Sequence, residues 1–122
     1  MGNPVMHFEV IAADPERLRR FYGQLFGWRE ERYPDADYTI LRSDSGQGID
    51  LAVGSIGNGL SAEPTPYIAV DDVDGFVQRA KELGAGEIIQ APYDVECTGR
   101  FAVIVDPEGN RVGLWTMPGT RS

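Results

Sequence analysis

The chain has one cysteine and one histidine among its 122 residues, and each scarcity removes a class of function. A lone Cys97 cannot close an internal disulfide or join a second thiolate around a metal, so a reducing compartment fits and a cytoplasmic location is expected. Basic residues are also short: 11 Lys and Arg stand against 19 Asp and Glu, a formal charge of −8. A phosphate backbone demands clustered cations, so nucleic acid is not an expected partner. No apolar run approaches the roughly 20 residues that span a bilayer, and the opening MGNPVMHFEV lacks a basic region followed by a greasy segment. A membrane is therefore not expected as a partner either. At this length residues 1–122 make a single domain, without room for separate catalytic and regulatory domains.

What is present is a repeat. Residues 38–54 (YTILRSDSGQGIDLAVG) overlay residues 101–117 (FAVIVDPEGNRVGLWTM) without a gap, pairing Tyr38 with Phe101, Ile40 with Val103, Gly46 with Gly109 and Leu51 with Leu114. Each copy reads as strand, turn, strand. Before the first copy, Val5 to Val10 alternates so that Met6, Phe8 and Val10 lie on one strand face and His7 and Glu9 on the other. Asp14-Pro15 then opens a helix whose stripe Leu18, Phe21, Tyr22 and Leu25 predicts core, with Gly27 as its stop and a strand over 28–33. Before the second copy, Pro66 to Val70 is a strand. Asp72 caps a helix with core positions Val73, Phe76, Val77 and Ala80, residues 87–90 form a strand, and residues 91–100 read as a polar loop. The fold class is α+β: two βαβββ modules, 1–56 and 66–122, joined by a linker at 57–65.

The two halves, with the segments DPERLRRFYGQLFGW (14–28), VDDVDGFVQRAKELGA (70–85) and GRFAVIVDPEGNRVGLW (99–115), resemble the glyoxalase/bleomycin-resistance/extradiol-dioxygenase family, the vicinal oxygen chelate superfamily. The resemblance implies cupped mixed sheets with helices outside, and homodimers in which halves from two chains complete each site. Its members include isomerases, epimerases, dioxygenases and proteins that only sequester a drug. Metal-dependent members place a ligand on the first and last strand of each half, which here are His7, Asp50, Tyr67 and Gly113. A phenol is a poor ligand and glycine none, so no metal or other cofactor is expected, with His7 and Asp50 as weak metal candidates.

Simple antiparallel pairing places Val103 opposite Gly113 and Phe101 opposite Trp115, and by the same arithmetic Ile40 opposite Asp50 and Tyr38 opposite Ala52. The predicted lining is therefore His7, Glu9, Tyr38, Ile40, Asp50 and Ala52 with Tyr67, Ala69, Phe101, Val103, Gly113 and Trp115. His7 and Glu9 are the catalytic candidates. The ligand-binding set is His7, Tyr38, Ile40, Asp50, Tyr67, Phe101, Val103 and Trp115. Asp50 is taken to lie inside a strand, Glu30-Glu31 as a solvated turn, and Arg100 as either a ligand contact or a surface charge. The first expectation is a homodimeric cup that binds a small aromatic or cationic molecule without a complete metal site. The alternatives are a divalent-metal-dependent lyase, isomerase or dioxygenase-like enzyme using His7 and Asp50, and an interaction protein whose cup its own side chains fill. Whether the chain is an enzyme stays open at this point.

Overall fold

The computed structural model describes residues 2–33, 37–55, 63–95 and 99–117. Contacts divide the chain into two compact units, His7–Pro64 and Met1–Met6 with Thr65–Ser122. The fold is α+β, built of two βαβββ modules. Among the described residues no helix is long and apolar enough to cross a membrane.

Module one follows the order β1 (Val5–Ala12), α1 (Pro15–Phe26), β2 (Arg29–Tyr33), β3 (Tyr38–Arg42) and β4 (Leu51–Ser55). Its strands lie in the order β2-β3-β4-β1, with β1 and β4 parallel and the other pairs antiparallel. Asp14 caps α1 by accepting from the Arg17 N–H at 3.2 Å, and Pro15 sits in the first turn, where no N–H is needed. Gly27 ends the helix in the left-handed region at φ 73°. Leu41, Val53 and Ala12 form the buried core on the helix side, with Leu18, Tyr22 and Trp28 packed against it. The predicted stripe is only half right. Phe21 and Leu25 are 54% and 59% exposed, while Arg19 is buried at 7%. The inward arc of α1 runs through Pro15, Leu18, Arg19, Tyr22 and Gly23, so it is rotated away from the arc that hydrophobicity alone marks.

Module two contains β5 (Thr65–Ala69), α2 (Val73–Glu82), β6 (Ile88–Val95), β7 (Gly99–Val105) and β8 (Arg111–Thr116). The strand order is β5-β8-β7-β6, with β5 and β8 parallel. The first residues of the chain cluster with this module, and the Ala69 N–H donates to the Pro4 carbonyl at 3.0 Å. Asp72 caps α2 through the Gly75 N–H at 3.1 Å. Val73 and Val77 are buried with Val70, Ala102, Ile104 and Leu114. The expected loop at 91–100 is corrected: β6 runs on through Val95, with register shifts between Ile88 and Gln90 and again between Gln90 and Tyr93. An outer strand of the module's sheet tolerates both the bulges and Pro92, whose missing N–H is a loss only in a central strand. Cys97, the turn at 34–36 and most of the 57–65 linker lie outside the described residues.

The repeat holds in register on one side and slips on the other. Phe8 pairs with Leu51 as Ile68 pairs with Leu114, so the parallel pairs match. In the second hairpin Phe101 faces Trp115 and Val103 faces Gly113, as expected. In the first, Ile40 faces Ala52 and Tyr38 faces Gly54, two residues from the expected register. Positive φ at Asp44, Gly46 and Gly48 builds a wider connection there than the Asp106–Asn110 turn, where Gly109 alone has one. A slip of two keeps every side chain on its face, whereas a slip of one would invert them.

Candidate functional site

In each module the helix covers one sheet face, and the predicted lining lies on the other. Module one brings His7 and Glu9 from β1 beside Tyr38 from β3. The Tyr38 hydroxyl donates to the Glu9 Oε2 at 2.7 Å, and His7 Nε2 lies 2.7 Å from the same hydroxyl. Tyr38 has one hydrogen and Glu9 takes it, so His7 Nε2–H is the donor to Tyr38. The His7 and Tyr38 rings run near parallel, 26° apart with centroids at 6.2 Å. Glu9 is buried, at 8% exposure. Burial, and after it the positive charge of Arg42, hold the His7 pKa below its ordinary 6.5, with Asp50 partly offsetting them. The ring is therefore neutral at pH 7.

Arg42 ends β3 on the same face. Its Nε and Nη2 bind the two Glu31 carboxylate oxygens at 2.9 and 3.0 Å, and Nη1 binds Asp50 Oδ2 at 3.0 Å. The other Asp50 oxygen accepts from the Ser43 N–H at 3.2 Å. Tyr33 donates a short hydrogen bond to Glu31. Pairing with Arg42, then the Tyr33 contact, brings the Glu31 pKa down to about 2. Two expectations are corrected here. Glu31 lies within β2 as one arm of an ion-pair network, and Asp50 precedes the first β4 residue, Leu51.

Module two presents rings. Tyr67 faces Gly113 across the parallel pair, and a Cβ at position 113 would run into the Tyr67 ring. Phe101 and Trp115 stand 6° from parallel with centroids at 5.9 Å, Tyr67 meets Phe101 edge-on at 6.0 Å, and Tyr93 lies 6.0 Å from Phe101. Val103 is buried beside them. Arg100, left open above, binds Asp74 at 2.8 and 2.9 Å and Asp94 at 3.1 Å, tying β7 to the first turn of α2 and to β6.

The four family ligand positions fit a divalent ion poorly. In module one, Asp50 already holds a guanidinium and a backbone N–H, and the neighbouring Arg42 charge opposes a second cation. In module two, the Tyr67 ring covers a glycine. Among the described residues no group of three or more His, Cys, Asp or Glu could hold a metal.

A family model, described as a glyoxalase-like domain, matches residues 7–115. The chain belongs to the glyoxalase-like domain family. Relatives of this glyoxalase-like chain include the protein named "Putative glyoxylase CFP32" in Mycobacterium bovis and Mycobacterium tuberculosis. It is 31% identical over 114 aligned residues, covering 88% of this chain and 43% of the relative, so the chain spans under half the length of the curated proteins it matches. Two solved structures share the glyoxalase-like fold. A glyoxalase/bleomycin resistance protein/dioxygenase superfamily member from Vibrio splendidus has a TM-score of 0.69 at 18% identity, covering 95% of this chain and 99% of that one. Methylmalonyl-CoA epimerase from Mycobacterium tuberculosis has a TM-score of 0.65 at 18% identity, covering 93% and 87%.

Within this glyoxalase-like chain, module one gathers His7, Glu9, Tyr38, Ile40, Asp50 and Ala52 on one face, and module two gathers Tyr67, Ala69, Phe101, Val103, Gly113 and Trp115. Sequence reasoning missed Arg42 and Glu31. The signal was present: Arg42 follows Tyr38 and Ile40 at the period of a strand face, and Glu31 stands opposite Ile40 on the neighbouring strand, one diagonal step from Arg42.

Proposed function

We propose that the protein binds a small planar aromatic or cationic molecule as a homodimer, without a complete metal site. The ligand-contact residues are Tyr67, Phe101, Val103 and Trp115 on the module-two face, and His7, Tyr38, Ile40 and Asp50 on the module-one face. One observation carries the reading: the place where a metal-dependent relative would set a ligand side chain is Gly113, covered by the ring of Tyr67 within a group of four aromatics. Aromatic groups favour stacking and cation–π contact, and a chain of charge −8 attracts a cation. A cytoplasmic placement accompanies the proposal, resting on the single cysteine.

The test uses a Trp28→Phe variant, whose tryptophan fluorescence comes from Trp115 alone, titrated with 9-aminoacridine. Saturable quenching that weakens at least several-fold on Phe101→Ala supports the reading. Quenching no different from that of a free tryptophan derivative overturns it. Elemental analysis of protein purified without chelator runs alongside. A stoichiometric ion lost in His7→Gln would favour the metal-dependent lyase or isomerase instead, and light scattering checks the homodimer.

A further inference from the structure

We propose that module one carries a second binding site, for a free α-amino acid with an apolar side chain, in the groove between the end of β1 and the first half of α1. The groove contains none of the ligand-contact residues named above, so this proposal stands or falls separately from that reading.

The sequence sets one wall of the groove. Asp14, Arg17, Leu18 and Phe21 recur at the spacing of a single helix side, and with Ile11 and Ala12, the last two residues of β1, they line a cavity of about 360 Å³. That volume is enough for a small molecule. Four of the six residues are apolar, and Phe21 leaves 54% of its surface open to solvent. A ligand lying along the groove covers that ring and removes apolar area from water.

Two charges stand in this apolar setting with bonding capacity unused. Asp14 commits Oδ1 to the Arg17 N–H at 3.2 Å, and its Oδ2 has no partner among the described residues. Arg19, Arg20, Arg29, Arg32 and Arg42 each lie 3.9 Å or less from a carboxylate, whereas the Arg17 guanidinium meets none among the described residues. A bare anion would face Asp14 and a chain of charge −8, and a bare cation would face Arg17. A zwitterion answers both. Its carboxylate accepts from the Arg17 guanidinium and its ammonium donates to Asp14 Oδ2, while its zero net charge leaves the field of the whole chain without effect. An α-amino acid carries the two groups on one carbon, and the apolar lining selects a side chain without polar atoms. A peptide separates its ammonium from its carboxylate and cannot satisfy both residues at once.

The probe is L-leucine, titrated into ¹⁵N-labelled protein. Saturable shifts are expected at backbone amides within residues 11–21, and none with N-acetyl-L-leucine or isoamylamine, which lack the ammonium and the carboxylate respectively. Arg17→Gln should weaken binding about tenfold, the effect of one lost charge-assisted hydrogen bond. Asp14→Asn keeps an equally good helix cap while removing the charge, so it should weaken binding to a similar degree with α1 intact by circular dichroism. Shifts that do not saturate, affinity unchanged in either variant, or equal binding of N-acetyl-L-leucine overturn the proposal. So do shifts centred on Tyr67, Phe101 and Trp115, which would send the amino acid to the aromatic face.

Discussion

His7 and Tyr67 hold equivalent places in the two modules, each beside the strand that closes its half, yet their surroundings have diverged in opposite directions. On the face that carries His7, Tyr38, Glu9, Asp50, Arg42 and Glu31 are joined by hydrogen bonds and ion pairs, beside Ile40 and Ala52. Around Tyr67 the neighbours are Phe101, Trp115 and a glycine kept bare by the ring above it. The helices differ in the same sense. α2 buries Val73 and Val77, whereas the one buried residue of α1 is Arg19, its Nε 3.6 Å from Glu30. The module-one face is specified by directed bonds, and the module-two face by the volume of its rings.

The comparison breaks hardest at position 113. Gly113→Ala forces a methyl against Tyr67, and a cost of about 3 kcal/mol is expected, at the upper end for overpacking. Combined with Tyr67→Ala, the double variant should be at least about 0.5 kcal/mol more stable than the sum of the singles predicts. Urea unfolding measures both, and strict additivity would mean that Tyr67 can move aside at no cost.

The helices give the next contrast. Val73→Ala, at 1% exposure, should cost about 2 kcal/mol, while Phe21→Ser on the exposed side of α1 should stay within about 0.5 kcal/mol. A large loss at Phe21 in dilute solution would show that this side of α1 is covered in the folded protein, and a concentration-dependent loss would place a second copy there.

Arg42→Met removes the cation between Glu31 and Asp50. The urea midpoint should fall at low salt, and the difference from wild type should shrink in 1 M NaCl (roughly a 3 Å screening length), because the partners are partly exposed. No comparable salt dependence is expected for Val103→Ala in the aromatic module.

The smallest effect is on pH dependence. The folded pKa of His7 lies below the unfolded 6.5, so the unfolded chain binds a proton first. Its contribution to stability is complete above pH 6.5 and is lost as pH falls from there toward the folded value. Glu31 acts in a lower window, its stabilisation present above 4.5 and lost as pH falls toward about 2. His7→Gln should flatten the thermal-melting profile just below pH 6.5 and leave the more acid slope unchanged.

Much of the fold was legible from residues that act locally. Asp14, Pro15 and Gly27 mark α1, Asp72 opens α2, and the Asp106–Asn110 turn sets the register of the second hairpin. The same local logic failed at 91–100, where Pro and Asp suggested a loop but a bulged outer strand accommodates both. It also failed in the first hairpin, whose connection carries three residues with positive φ and lengthens the reversal. Arg42 was missed as a consequence, since setting Ile40 opposite Asp50 puts Arg42 opposite Gly48, and Glu31 was missed because Glu30-Glu31 reads as a solvated turn whereas it lies within β2.

Periodicity and turn chemistry thus determined from sequence alone that the chain is a duplicated βαβββ unit, and which residues share each sheet face, since parity survives a two-residue slip. Only the tertiary structure decided which neighbours meet on those faces. The Tyr38 hydroxyl between His7 and Glu9, the guanidinium on Asp50 and the ring over Gly113 are contacts between residues 8 to 46 positions apart. Their distances follow from strand register and side-chain packing, which no local pattern encodes.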